Sequence, residues 1–370
     1  MRKQLPVLTP SPLPSLYAAW IDQLLAGPIP PETDATCNDC AMLPKDGDDL
    51  KSTVFFNPQT KCCTYIPTIP NYLVGRMLED EDPGQAAGRT TIENRIRSGV
   101  GVTPLGLSQP TDFRILYRSS SDSLFGQSRT LLCPHYLDNE GGRCGVWKNR
   151  AALCATWHCK YVRGIVGQKF WTALHKLLTA VEDSLSQWCV FELDVGSDAL
   201  RQLFPTGSRF KKSEAIEARA LDGTSDLSDR RALWGRWAGR EKEFYLKCAG
   251  LVNELNWQDV VAIDSAELRI YAHLLVDAYH QLLSEQLPDR LKVGTHQLID
   301  MDHDSYRVSP YNPYDPISLP IELMTVLGYF DGRPTSEALD AILEFENVRL
   351  EPALIRKLTD FGVLVAAQPD

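Results

Sequence analysis

Residues 166–188 read VGQKFWTALHKLLTAVEDSLSQW. Val166, Phe170, Leu174, Leu178, Val181, Leu185 and Trp188 recur there at the spacing of one helix face. The pattern predicts a long amphipathic helix and, with it, a mainly α chain carrying small β elements. A short strand, Cys189–Leu193, is expected to follow it. Further on, helices are expected at about Asp229–Leu255 and Ser265–Leu287, after a polar, charged loop over 206–229.

On the N-terminal side of that helix the character of the chain changes. Eight of the ten cysteines lie between Cys37 and Cys159. They run as Cys37-x2-Cys40, the adjacent pair Cys62-Cys63, then Cys133, Cys144, Cys154 and Cys159. Gly and Pro are scattered throughout, as expected where a metal rather than a large core holds the backbone. One helix is expected inside the region, capped by Thr90 with Glu93 and stopped at Gly99. Ahead of it, a Pro-rich arm holds one short helix, Leu16 to Leu25, closed by Gly27-Pro28.

Clustered thiols are read here as metal ligands rather than as a disulfide framework. The start, Met1-Arg-Lys-Gln-Leu-Pro, is followed by prolines and by no apolar run, so a cytoplasmic chain with free thiols is expected. A chain of 370 residues also needs no disulfide staples to be stable. At 44% hydrophobic, 23% charged and net charge −10, it reads as an ordinary globular protein without a nucleic-acid-binding surface or a membrane segment. Charge is uneven, however. From Gly141 to Val181 seven Lys and Arg occur with no Asp or Glu, and Cys144, Cys154 and Cys159 lie inside that stretch. Nearby cations lower thiol pKa values and offset the negative charge of a thiolate centre.

The spacing does not choose the metal. A structural zinc site usually closes on two paired knuckles, and only Cys37-x2-Cys40 has that form. Iron–sulfur clusters accept less regular spacing. Eight thiols suffice for one or two four-iron clusters, or for one cluster plus a separate metal, and zinc stays an alternative. No Cys-x3-Cys-x2-Cys run of radical S-adenosylmethionine chemistry occurs. His135 and His158 stand beside cysteines and are further ligand candidates.

Cys37-x2-Cys40, Cys62-Cys63-Thr-Tyr65-Ile-Pro67, Cys133, and Cys144-Gly-Val-Trp147-Lys-Asn-Arg150-x3-Cys154-x4-Cys159 together resemble the YkgJ-like cysteine-cluster family. That family is described as a zinc- or iron-chelating domain, and the resemblance covers about 37–160. Two departures stand out. Twenty-one residues separate Cys40 from Cys62 where the family has two, and Ala151 replaces a proline. The first departure leaves open a separate metal for Cys37 and Cys40. The resemblance implies metal ligation by Cys37, Cys40, Cys62, Cys63, Cys133, Cys144, Cys154 and Cys159. Trp147, Arg150 and His158 are expected to flank the ligands.

The last stretch has its own punctuation. A hairpin is expected from Leu291–Asp300 and Ser305–Ser309, turning at Met301–Asp304. Helices follow at Leu319–Phe330, from Thr335 to about Glu346, and from Pro352 to Gly362. Leu319–Asp331-Gly332-Arg-Pro-Thr-Ser-Glu-Ala-Leu and Ala353-Leu-Ile-Arg-Lys-Leu-Thr-Asp-Phe-Gly-Val-Leu resemble PqqD-like peptide-recognition winged helices. The resemblance implies capture of a peptide as an added strand. From His296 onward thirteen Asp and Glu face five Lys and Arg, which disfavours DNA.

The expected organisation is an N-terminal arm with a short helix over 1–30, a cysteine-rich metal-cluster domain over 31–165, a helical region over 166–288 and a winged-helix module over 289–370. The expected function is iron–sulfur-dependent modification of a peptide or protein that the C-terminal module recruits. A zinc-stabilised, non-enzymatic adaptor is the alternative. A second alternative, an S-adenosylmethionine-dependent N-methyltransferase, comes from flagellin-modifying relatives of the resembled family.

Overall fold

The computed structural model describes residues 12–32, 40–45, 55–139, 141–205 and 227–367. Of these residues 54% are helical, with fourteen α-helices among them, and 12% lie in short strands, so the fold is mainly α with small β elements. Among the described residues no helix is long and apolar enough to cross a membrane. The chain forms two compact units that interleave along the sequence.

The first unit takes in the described parts of Met1–Pro31, Phe56–Trp157 and His175–Ala272. Helix α1 (Ser15–Leu24) buries Tyr17, Trp20 and Ile21, and the Trp20 indole N–H donates to the Leu255 carbonyl at 3.0 Å. Helix α2 (Asn71–Glu79) is almost wholly buried, because it packs along Glu241–Asn253. Gly75 permits that contact. A Cβ there would stand 2.0 Å from the Tyr245 carbonyl oxygen. A small sheet runs in the order β1 (Ile69–Pro70), β3 (Gly106–Leu107), β2 (Val102–Thr103). Asn71 ties it down, its side-chain amide donating to the carbonyls of Pro104 and Ser186, both at 2.9 Å.

Helix α3 spans Ala86–Ser98 and ends on left-handed Gly99, as its sequence predicts. Its start differs. Thr90 lies inside the helix and its hydroxyl donates back to the Ala86 carbonyl at 3.0 Å, so Thr90 is no cap. Helices α4 (Thr111–Leu124) and α5 (Ala152–Thr156) precede the long α6, which spans Gly164–Glu192. The strand expected at Cys189–Leu193 is therefore mostly the last turn of α6. Cys189 extends the buried stripe one turn beyond Leu185, and burial on a helix face overrides the local β preference. Short α7 (Ser197–Leu203) comes next.

The single helix expected over Asp229–Leu255 is divided into α8 (Leu227–Trp234), a 3-10 turn at Gly235–Trp237 and α9 (Glu241–Asn253). Gly235 and Gly239 take positive φ, which stops a helix. Trp234, on α8, is fully buried against Phe244 and Tyr245, both edge-on at 5.5 Å. Helices α10 (Trp257–Ile263) and α11 (Ser265–Leu283) follow; Asn256 caps α10 in a complete capping box.

The second unit takes in the described parts of Glu32–Phe55, His158–Leu174 and His273–Asp370. It has two three-stranded antiparallel sheets. One runs β10 (Asp331–Pro334), β6 (Arg290–Val293), β11 (Leu364–Ala366); the other runs β7 (Gln297–Met301), β8 (Ser305–Ser309), β9 (Ile317–Pro320). The stretch read as one strand from Leu291 to Asp300 is thus two strands in separate sheets. Its hairpin turn is as expected: the Asp302 carboxylate accepts the backbone N–H of Asp304 at 2.9 Å and of Ser305 at 2.7 Å. Three helices complete the unit: α12 (Ile321–Leu327), α13 (Thr335–Glu346) and α14 (Pro352–Asp360). Leu291, Phe330, Ile342, Ile355 and Leu364 meet in one core. Arg163 joins this unit together, pairing with Asp360 through its Nε at 2.9 Å and a terminal nitrogen at 2.6 Å. That fork-on-carboxylate geometry gives Arg163 a structural role.

Candidate metal centre

Cys62 and Cys63 sit in a tight turn that begins at Asn57. The Asn57 carbonyl accepts the N–H groups of Thr60 at 3.0 Å and Lys61 at 2.9 Å, and Lys61 takes φ 51°. The turn is anchored on Gly126. The Gly126 N–H donates to the Thr64 hydroxyl at 2.7 Å, and its carbonyl accepts the Thr60 hydroxyl at 3.0 Å. Gly126 has φ 72°, and a Cβ on it would meet the Phe56 ring at 2.3 Å.

Cys133 is laid directly on this turn, its N–H donating to the Cys63 carbonyl at 2.8 Å. Two residues later the chain enters β4 (Tyr136–Leu137), which pairs with β5 (Arg143–Cys144) so that Tyr136 faces Cys144. The hairpin is held at both ends. Gly145 N–H donates to the His135 carbonyl at 2.8 Å, and the Lys61 ammonium donates to the Gly142 carbonyl, also at 2.8 Å. Helix α3 packs against it so closely that a Cβ on Gly88 would stand 1.7 Å from the Gly145 carbonyl oxygen. Cys154 is brought in by α5. Arg150 secures the turn before that helix, with its guanidinium 3.9 Å over the Trp147 ring and bonds to the carbonyls of Trp147 at 2.9 Å and Cys154 at 3.3 Å.

Five thiols of the first unit therefore share one electrostatic neighbourhood. The Cys62 thiol is held below its usual value, first by a hydrogen bond with the Cys63 thiol and then by its own N–H and by Lys61, against the effect of burial. That same bond pushes Cys63 far up, with burial and the sulfurs of Cys62, Cys144 and Cys133 adding to it. Burial pushes Cys133 up to about 11, opposed by the His135 N–H on its sulfur and by Arg95. Burial likewise raises Cys154 well above its usual value, with Cys144, Cys133 and Cys62 acting in the same direction and Arg150 against it. Cys62 and Cys154 keep exposed surface although burial acts on both sulfurs. The exposed area governs access, while the dense surrounding atoms govern polarity.

The cations that act on these sulfurs are Lys61 on Cys62, Arg95 on Cys133 and Arg150 on Cys154. Only Arg150 belongs to the basic stretch singled out in the sequence. Lys61 and Arg95 are buried, and Arg95 is fixed by the Ser108 carbonyl at 2.8 Å. Lys61 directly precedes Cys62 in the sequence, whereas nothing in the spacing marked Arg95, which only folding brings to Cys133.

His135 is a further donor. It is buried, its Nδ1 lies 2.8 Å from the Thr91 hydroxyl, and that hydroxyl donates its one proton to the Gly88 carbonyl at 2.7 Å. Nδ1 must then carry the imidazole hydrogen, which leaves Nε2 as a lone pair. Nε2 is buried with no hydrogen-bond partner among the described residues. Burial and Arg95 bring the His135 pKa down to about 3, so the ring stays neutral. A neutral imidazole with an unused nitrogen is a ligand in form.

The other expected ligands fall elsewhere. Cys159 belongs to the second unit, where its carbonyl accepts the Asn312 amide at 2.8 Å. Cys40 is half-buried in the same unit, and Cys37 lies outside the described residues. His158 also belongs to the second unit, packed on the Trp171 ring at 4.2 Å. The described cysteines are all free thiols. Among the described residues no three His, Cys, Asp or Glu side chains are placed to hold a single ion. A lone tetrahedral ion would need its donors nearly touching, whereas a polynuclear cluster spreads its ligands around a wider perimeter. Thiols are the donor type that both iron–sulfur clusters and zinc take, and a neutral imidazole nitrogen occurs with both.

Comparison with known proteins leaves the site to be read on its own chemistry: no family model, no curated protein and no solved structure matches the chain.

Proposed function

We propose that this chain binds an iron–sulfur cluster through Cys62, Cys63, Cys133, Cys144 and Cys154, and serves in the modification of a peptide or protein. The observation that carries the reading is the gathering of those five free thiols from four separate segments into one neighbourhood, with a cation acting on three of them. In the absence of a metal most of these thiols are held protonated, and a bound cationic cluster would let them ionise together by offsetting the charge that opposes it. A bound cluster would supply electron transfer or substrate activation; Lys61, Arg95 and Arg150 would offset its charge, and Trp147 would limit water access.

Recruitment is assigned to β7, an edge strand whose five residues are all exposed. Leu298, Ile299 and Met301 on it are 54%, 43% and 59% exposed. An unpaired apolar edge is a template for an added strand, the mode implied by the PqqD-like resemblance.

The test is a count of iron, sulfide and zinc on one anaerobic preparation, with its visible spectrum. Broad absorption near about 400 nm with stoichiometric iron and sulfide is expected. A colourless protein holding zinc would replace this reading with the zinc-stabilised adaptor. Folded protein holding neither metal, with all five thiols open to alkylation, would end both.

A further inference from the structure

The first unit contains a cavity of about 650 Å3 that the thiol centre does not use. Its size falls in the range of small-molecule sites. One wall is a single stripe of α6, where His175, Thr179, Glu182, Asp183, Ser186 and Gln187 follow at helical spacing. Tyr65, Thr68, Thr103, Ser108 and Gln202 add hydroxyls and an amide, while Leu105, Leu153, Leu203 and Leu233 supply apolar surface. Among the described residues no Lys or Arg lines it.

The protonation states on this wall follow from its hydrogen bonds. The Thr156 hydroxyl donates to the Ala152 carbonyl at 2.7 Å and also lies 3.2 Å from His175 Nδ1. With its one proton used, it must accept from Nδ1–H, which leaves His175 Nε2 as an acceptor. Burial lowers the His175 pKa, so the ring is neutral at neutral pH. Glu182 is engaged already, accepting from the Tyr17 hydroxyl and from the Ala152 N–H at 2.7 Å. Asp183 is different. It has no hydrogen bond or ion pair among the described residues, and burial and the acidic Glu267 both raise its pKa.

We propose that this cavity binds a small organic cation with N–H donors, an amine or guanidinium, using Asp183 as counter-charge and His175 Nε2 as hydrogen-bond acceptor. Among the described residues the wall offers a carboxylate without a hydrogen-bond or ion-pair partner and an imidazole acceptor, and no fixed positive charge. An anionic ligand would face repulsion from Asp183, and a neutral polyol would gain no charge pairing with it. The apolar leucines accommodate the ligand's carbon skeleton. The inference is independent of whether the thiols carry a metal.

The test is calorimetric titration of the full chain with 1,4-diaminobutane, arginine methyl ester and the uncharged 1,4-butanediol. At least one of the cations should bind, and the diol should bind at least about tenfold more weakly. Asp183→Asn, isosteric and on partly open surface, should lose at least about tenfold in affinity with an unchanged circular dichroism spectrum. Gln187→Lys places a tethered cation in the same cavity and should abolish binding. No heat from either cation up to about 10 mM, equal affinity for the diol, or wild-type affinity in either folded variant would overturn the proposal.

Discussion

The backbone N–H of Cys133 donates to the carbonyl of Cys63 at 2.8 Å, so two thiol-bearing loops seventy positions apart are joined by main chain before any metal is considered. The Tyr136–Cys144 pairing extends the same framework to a third thiol. A ligand set held by backbone bonds is preorganised, because its position does not depend on side-chain rotamers alone.

Replacing thiols inside and outside this framework should separate two kinds of cysteine. Cys133→Ser is expected to lower bound metal at least about tenfold, since a hydroxyl is a poor soft-metal ligand. Cys189→Ser, at a fully buried core position, should keep the metal and lose about 1–2 kcal/mol of stability instead. Metal analysis beside urea unfolding of both variants checks this.

His135 should be visible spectroscopically. If its Nε2 reaches the bound cluster, pulsed electron paramagnetic resonance of the reduced protein will show nitrogen hyperfine coupling. The coupling should vanish in His135→Gln while iron content stays within about twofold of wild type. Coupling that persists in the variant would assign the nitrogen to another residue.

Glu182 sets a pH dependence. Burial pushes its carboxyl up to about 8 from an ordinary 4.5, against the Tyr17 and Ala152 bonds. The folded state then holds a proton that the unfolded state has released between those two values. Stability from this group is complete below about pH 4.5 and is lost as pH rises toward about 8. Wild type should become less stable over that window by an amount on the order of a few kcal/mol, and Glu182→Gln should flatten the slope. Chemical denaturation at pH 5, 6.5 and 8 measures it (roughly three points across the window).

Gly88 tests the seat of the hairpin. Its added methyl in Gly88→Ala would stand 1.7 Å from the Gly145 oxygen, so α3 or the β4–β5 hairpin must shift. A loss of roughly 3 kcal/mol is expected, in contrast to the gain that Ala usually brings to a helix. Metal retention should fall with it, because Cys144 rides on the displaced strand. A Tm equal to wild type would contradict the close approach.

Elements with a continuous period or strong punctuation were legible in the sequence. The long helix, the Gly99 stop, the Asp302 turn and the three C-terminal helices all rest on interactions within a few residues. The errors share a different cause. Cys189–Leu193 joined α6 because the buried stripe ran on, and the 229–255 helix broke where Gly235 approaches the Val195 carbonyl, a contact absent from local sequence.

By itself the sequence determined the helical class and the supply of thiols, since periodicity and composition act locally along the chain. Only the tertiary structure decided which thiols meet. Cys62, Cys63, Cys133, Cys144 and Cys154 are gathered by backbone hydrogen bonds between remote loops, and Arg95 arrives beside Cys133 by burial. Such contacts depend on how loops close in space, and residue spacing carries no record of that closure.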